Sequence, residues 1–208
     1  EADELRELMN RLEISELSQP RGHQGLSVPD CPYYAAGSFK IYHDNRCDLL
    51  GNALAIVSGV ASKDRAGQII DFIEARCVEM RARGELVGEL PPCFFPYMQP
   101  GDEDWRARYA IYNLPGEYHN GGVWPFICGF YVAACIAAGR FELAQRKLEA
   151  LAALVKPWHE NECEWGFNEQ VRAQTGHPIG RDWQTWSAGM FIYACECVAT
   201  NSTPFFGA

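Results

Sequence analysis

Apolar residues recur along this chain at steps of three and four, and the stretches where they do so predict a series of helices. Leu5, Leu8, Met9 and Leu12 set the period of a first helix over Asp3 to Leu17. A second follows from Asp48 (LLGNALAIVSGVA), and a third over Lys63 to Arg83 carries Ile69, Ile70, Phe72, Ile73 and Cys77 on its inner side. Gly84, Gly88 and the prolines at 91, 92 and 96 end that helix and open a long loop reaching Gly116. The fourth helix, roughly Val123 to Ala138, is uncharged and closes at Gly139. Phe141 to Val155 makes the fifth, with Leu143, Leu148, Leu151, Ala152 and Leu154 as its apolar set. After a loop rich in Trp, Glu and Gly from Pro157 to Arg181, the sixth runs from about Trp183 to Ala199.

Period-two alternation is almost absent, so the predicted fold is all-α. Some helices are apolar nearly all round (48–61, 123–138, 183–199), and others have a polar face (63–83, 141–155). That arrangement predicts inner helices surrounded by outer ones, in two concentric layers of hairpins. Long loops precede the inner helices, where long connections usually carry function.

Composition narrows the partners. With 18 Lys and Arg against 27 Asp and Glu the formal charge is −9, which excludes an electrostatic footprint for nucleic-acid phosphates. Gly121 to Gly139 carries no charge over a length that just reaches spanning distance. Pro125 near its start, the lack of basic flanks and the amphipathic helix that follows argue instead for a helix buried in protein. The nine cysteines are odd in number and hold no CxxC pair, and Cys77, Cys128, Cys135 and Cys195 fall inside apolar helical patterns. Reduced, mostly buried thiols are expected, and with no signal-like segment at Glu1 the expected location is cytoplasmic. A zinc site from His159, Cys163, Cys195 and Cys197 is disfavoured, because Pro157 and Gly166 break helical spacing there. No metal and no cofactor are expected.

Three loop-to-helix junctions gather polar and aromatic residues: Gly116 to Pro125 (GEYHNGGVWP), Glu160 to Gln170 (ENECEWGFNEQ) and Gly180 to Trp186 (GRDWQTW). Carboxylates and amides beside flat rings are what a sugar site needs: hydrogen bonds to hydroxyls and a platform for the ring's C–H face. Glycoside hydrolysis uses two carboxylates, and the candidates are Glu117, Glu160, Glu162, Glu164, Glu169 and Asp182. Residue chemistry alone leaves that choice open.

EYHNGGVWP, then GRFELAQ, then FNE with QTGHPIG behind it, then DWQTWSAG, resemble the C-terminal part of the six-hairpin (α/α)6-barrel glycoside hydrolases. The similarity is greatest to the group of alkaline/neutral invertases (glycoside hydrolase family 100) and bacterial amylo-α-1,6-glucosidase-like, glycogen-debranching proteins, and covers roughly Gly37 to Val198. It implies Glu169 as the catalytic base, with Gly180 eleven positions later. It also implies His119 and Asn120 in the subsite for the nonreducing-end sugar, and Trp124, Trp183, Gln184 and Trp186 as sugar-site or supporting residues. Phe167-Asn168 stands where the invertase branch has a Trp-Pro pair, and the wording GFNE…GHPIGRDWQTWSAG resembles the debranching-like branch. The implied activity is inverting hydrolysis of an α-glucosidic bond in an oligosaccharide, with sucrose, a disaccharide, as the alternative. A carbohydrate-binding or scaffolding half-barrel is the non-enzymatic alternative.

In the family the general acid is an Asp from the N-terminal half of the barrel, and no counterpart is found here. Six helices fill the 208 residues, whereas the barrel needs twelve. The chain is therefore expected to be one partial catalytic domain over 1–208. Residues 1–36 would form an N-terminal helix and irregular segment, and 37–200 the hairpins. The rest of the barrel would come from the same gene or from a partner chain. Inner helices such as Val123 to Ala138 would then be open on one side.

Overall fold

The computed structural model describes residues 1–10, 25–39, 42–156 and 165–206. Its elements are α1 (Ala2–Asn10), β1 (Ala35–Phe39), β2 (Tyr42–Asp48), α2 (Leu49–Val57), α3 (Lys63–Ala82), β3 (Phe94–Phe95), α4 (Tyr109–Tyr112), α5 (Pro125–Ala137), α6 (Phe141–Val155), β4 (Gln170–Val171), β5 (Pro178–Ile179) and α7 (Thr185–Thr200). The helices start and stop where local chemistry dictates. The Asp48 carboxylate accepts from Gly51 N at the start of α2, and Ser62 Oγ accepts from Arg65 N at the start of α3. Pro125 opens α5 at a position that needs no N–H, and Gly139, with φ +72°, follows its end.

α5 is the centre of the packing. It lies between α2 and α7, with α6 and α3 also against it. Ile127, Cys128, Tyr131, Val132, Ala133, Ala134 and Cys135 are all buried there, each large side chain contributing about 1.5–3 kcal/mol. At Gly129 the backbone of α7 comes so near that an added Cβ would lie 2.7 Å from Met190 O. Thus α2, α5 and α7 form an inner row, and α3 and α6 lie outside it. The outer layer is locked by a buried charge: Lys147 Nζ donates to Glu89 O and pairs with Glu74 at 2.8 Å. Glu74 in turn accepts from Tyr131 Oη at 2.8 Å, so the ammonium is both neutralised and tied to α3 and α5.

Several sequence expectations change. The first helix is described over Ala2–Asn10, and the rest of its expected span, 11–17, lies outside the described residues. Strands occur although period-two alternation is almost absent from the sequence: β1-β2-β3 form a three-stranded antiparallel sheet, with β4-β5 a separate hairpin. A seventh, one-turn helix, α4, lies in the long loop. The uncharged helix is not open on one side, because it is the middle of the inner row. The uncovered flank belongs to α7, where Trp186, Gly189, Ile192 and Glu196 face outward and Ile192 is 68% exposed. No described helix is long and apolar enough to cross a membrane.

Candidate active site

The three inner helices have their N-terminal approaches sewn together. Leu49 N donates to Cys93 O, and Cys93 N donates to Gly122 O, each at 2.9 Å. Val123 and Val171 exchange a pair of backbone hydrogen bonds, and Gln184 N donates to Phe167 O. The segments before α2, α5 and α7 are thereby held at one end of the bundle.

His119 is set in its loop by a tight reversal. Tyr118 has φ +46° and Gly121 φ +100°, and a Cβ on Gly121 would lie 2.1 Å from the Tyr97 ring. Only glycine fits that position. Trp124 is buried and donates from Nε1 to Tyr118 O at 2.9 Å. Its indole stacks on the His119 imidazole with centroids 5.1 Å apart and planes 7° from parallel, and Tyr118 closes the other contact at 4.1 Å. Asn120, which its motif implies to be a sugar-site residue, has its side chain turned into the protein. Its amide is buried, with Oδ1 accepting from Met98 N and Nδ2 donating to Met98 O and Asn113 O. It braces the loop from within.

Glu169 stands at the mouth of the β4-β5 hairpin. Its backbone N donates to Arg181 O at 2.7 Å, and its Oε2 accepts from Arg181 N at 3.0 Å. The carboxylate lies against Gly180, which has φ +85°; a Cβ there would fall 2.3 Å from Oε2. That explains why a glycine stands eleven residues after the glutamate.

Four aromatic residues of these loops adopt left-handed backbone: Tyr118, Trp165, Phe167 and Trp183. Each such conformation costs on the order of 1–3 kcal/mol for a bulky residue and collects where function constrains the chain. Here hydrogen bonds enforce it: Trp165 N to Lys156 O, Phe167 N to Val155 O and Trp183 N to Gly166 O. Trp183 is 63% exposed and Trp186 51% exposed, with Trp186 edge-on to Phe126. Gln184 precedes α7 without capping it through its side chain.

The other candidate carboxylates separate. Glu117 is paired with Arg172 at 2.7 Å, Asp182 is half-buried beside Trp183, and Glu160, Glu162 and Glu164 lie outside the described residues. No group of three metal-ligating side chains occurs among the described residues; His159 and Cys163 fall outside them, and Cys195 and Cys197 are unpaired thiols on α7. Sequence reasoning missed Asp48, whose charge is felt at His119. Its only signal was its place as the residue opening an apolar helix.

Burial lowers the His119 imidazole below its ordinary value, while the nearby Glu169 and Asp48 carboxylates oppose that shift. Removing Glu169's charge takes away part of the opposition. An NMR titration of His119 is therefore expected to show a midpoint below about 6.5, moving lower still in Glu169→Gln. An unchanged midpoint in the variant would mean that the two groups are not neighbours.

A ring of helical hairpins left incomplete, with its polar loops gathered at one end of the inner helices, is the architecture of the (α/α)6, six-hairpin glycosidases. It superposes on a bacterial glucoamylase complexed with acarbose with TM-score 0.54 and 17% identity, over 97% of this chain and 29% of that one. It also matches the GH63 mannosylglycerate hydrolase of Thermus thermophilus in complex with glucose, with TM-score 0.51 and 21% identity over 77% of this chain and 35% of that one. Within that class the chain belongs to the alkaline and neutral invertase family, glycoside hydrolase family 100, whose model matches residues 7–200. Relatives include alkaline/neutral invertase E, chloroplastic, of Arabidopsis thaliana, 32% identical over 86% of this chain. Probable alkaline/neutral invertase F of the same plant is 35% identical over 73%, and cytosolic invertase 1 of Oryza sativa subsp. japonica 32% identical over 73%. This chain spans 28%, 28% and 25% of their respective lengths.

Proposed function

We propose that this chain is the base-bearing part of an inverting glycoside hydrolase that cleaves an α-glucosidic bond. The observation that carries the proposal is the Glu169 carboxylate, fixed over Gly180 by Arg181 N and close enough to His119 to act on its charge. In this reading the His119–Trp124 stack receives the nonreducing-end glucose, and the exposed faces of Trp183 and Trp186 flank it. Glu169 takes a proton from a water lying between itself and the anomeric carbon. As that water attacks, the glycosidic bond breaks with inversion, and a second carboxylic acid protonates the leaving oxygen. In inverting enzymes the two carboxyl groups stand about 6.5–9.5 Å apart, which leaves room for the water.

The acid belongs to the part of the barrel that this chain does not span. The remaining hairpins come from the same gene or a partner chain and cover the outward face of α7. A cytoplasmic enzyme of carbohydrate metabolism fits the unpaired thiols. Two substrates remain in competition. Family membership favours sucrose, whereas Phe167-Asn168 in place of the Trp-Pro pair favours a debranching-like α-1,6-glucosidic linkage.

The test uses the protein expressed from its complete reading frame, incubated with sucrose, maltose, isomaltose and a limit dextrin. Free glucose and its anomer are followed by polarimetry or NMR. Release of β-glucose from one of these is expected. Release of α-glucose would refute inversion, and no release from any of them would leave the non-catalytic, carbohydrate-binding reading.

A further inference from the structure

We infer that Asp48 is a substrate-orienting residue, its free carboxylate oxygen accepting a hydrogen bond from a hydroxyl of the sugar held at His119 and Trp124; this rests on the glycosidase reading of that site. The carboxylate is held in one orientation because Oδ1 accepts from Gly51 N, as the cap of α2. The other oxygen has no protein partner among the described residues, and the side chain is neither exposed nor fully buried. Its position relative to His119 is set by backbone and not by flexible side chains. Asp48 pairs with Phe94 across the β2-β3 ladder, Cys93 N donates to Gly122 O, and Cys93 Sγ contacts Tyr118 O. A single residue, Cys93, thus joins the Asp48 junction to the loop that carries His119.

Glu169 and Asp48 both act on the charge of His119, and they come from different ends of the sequence, before α7 and before α2. Burial raises the Asp48 pKa, while the Gly51 N–H and His119 oppose the rise. An acceptor oxygen left open in a half-desolvated corner gains more from a hydroxyl donor than an oxygen in water does. Hydroxyls arrayed around a pyranose are the donors that such an oxygen selects. The chemistry recognised is therefore the position of one hydroxyl, which makes Asp48 a determinant of which hexose is accepted.

The experiment exploits the fact that Asn caps a helix as well as Asp does. In the protein from its complete reading frame, tryptophan fluorescence is titrated with glucose and with each monodeoxyglucose, for wild type and Asp48→Asn. Wild type is expected to discriminate about 10-fold or more against one deoxy analogue, and Asp48→Asn to bind glucose about 10-fold more weakly and lose that discrimination. The thermal midpoint is expected to stay unchanged. Wild-type affinity and discrimination in the variant would reduce Asp48 to a helix cap and overturn the inference. Unchanged affinity with a collapse in turnover would also overturn it, making Asp48 a proton donor. Absence of glucose binding in wild type would defeat the sugar-site reading itself.

Discussion

Glu169→Gln is expected to lower turnover by about 10²- to 10⁴-fold, the span that general base catalysis supplies, while leaving affinity for the sugar nearly unchanged. The substitution keeps the shape of the side chain. Its remaining carbonyl oxygen still accepts from Arg181 N, so the hairpin that holds position 169 has no reason to move. What disappears is the ability to take a proton from water, an effect confined to the transition state. Steady-state kinetics separate the outcomes: kcat falls and KM stays if Glu169 is the base. A variant with wild-type kcat would show that another carboxylate performs the step, and Asp182, beside Trp183, would be the next to replace.

The second large effect is expected at a residue with no side chain. Gly180→Ala introduces a methyl group whose carbon would fall 2.3 Å from Glu169 Oε2 and 2.9 Å from Glu169 Cβ, at a φ of +85°. Both the strained backbone and the collision must be relieved, and the cheapest relief is rotation of the carboxylate away from Arg181 N. Displacement of a catalytic group by about 1 Å is enough for a loss on the order of 10²-fold in rate. Stability is expected to fall by about 1–3 kcal/mol. Thermal unfolding with circular dichroism checks the second effect and sugar release the first. Full activity in Gly180→Ala would show that the carboxylate does not depend on this glycine for its position.

The helical half of this fold could be read from its sequence because burial wrote it there. Pro125 to Ala137 is surrounded by other helices and contains no charge, whereas Phe141 to Val155 faces outward on one side and alternates accordingly. The small sheet could not be read in the same way. In β2, Arg46 pairs with Asp44 and with Asp102 and Asp104, which lie more than fifty residues away, and the Phe94 ring stands against the guanidinium. A strand held by a distant ion cluster leaves no hydrophobic alternation to detect. The site divides similarly. The Gly180 spacing and the His-Trp loop carried their signal in residue identity. Asn120, by contrast, looks like a ligand residue in the sequence, and the structure gives its amide to Met98 and Asn113. Asp48 was passed over because an Asp just before an apolar helix reads as an ordinary helix cap.

The backbone bonds that gather the loops also fix an order of events. Leu49 meets Cys93, Cys93 meets Gly122, Val123 meets Val171, and Val87 N donates to Ala173 O, so each of these four closures joins residues far apart in the sequence. Helices form from local contacts in microseconds, whereas loop closures of this kind carry an entropic cost that slows them. The segment from Gly166 to Trp186 is synthesised after α2, α3, α5 and α6, and it is the one on which Glu169 depends. The loop end of the bundle therefore matures only after most of the helical scaffold is already assembled, and a chain stopped before residue 166 would build the inner row as far as α5 without acquiring Glu169.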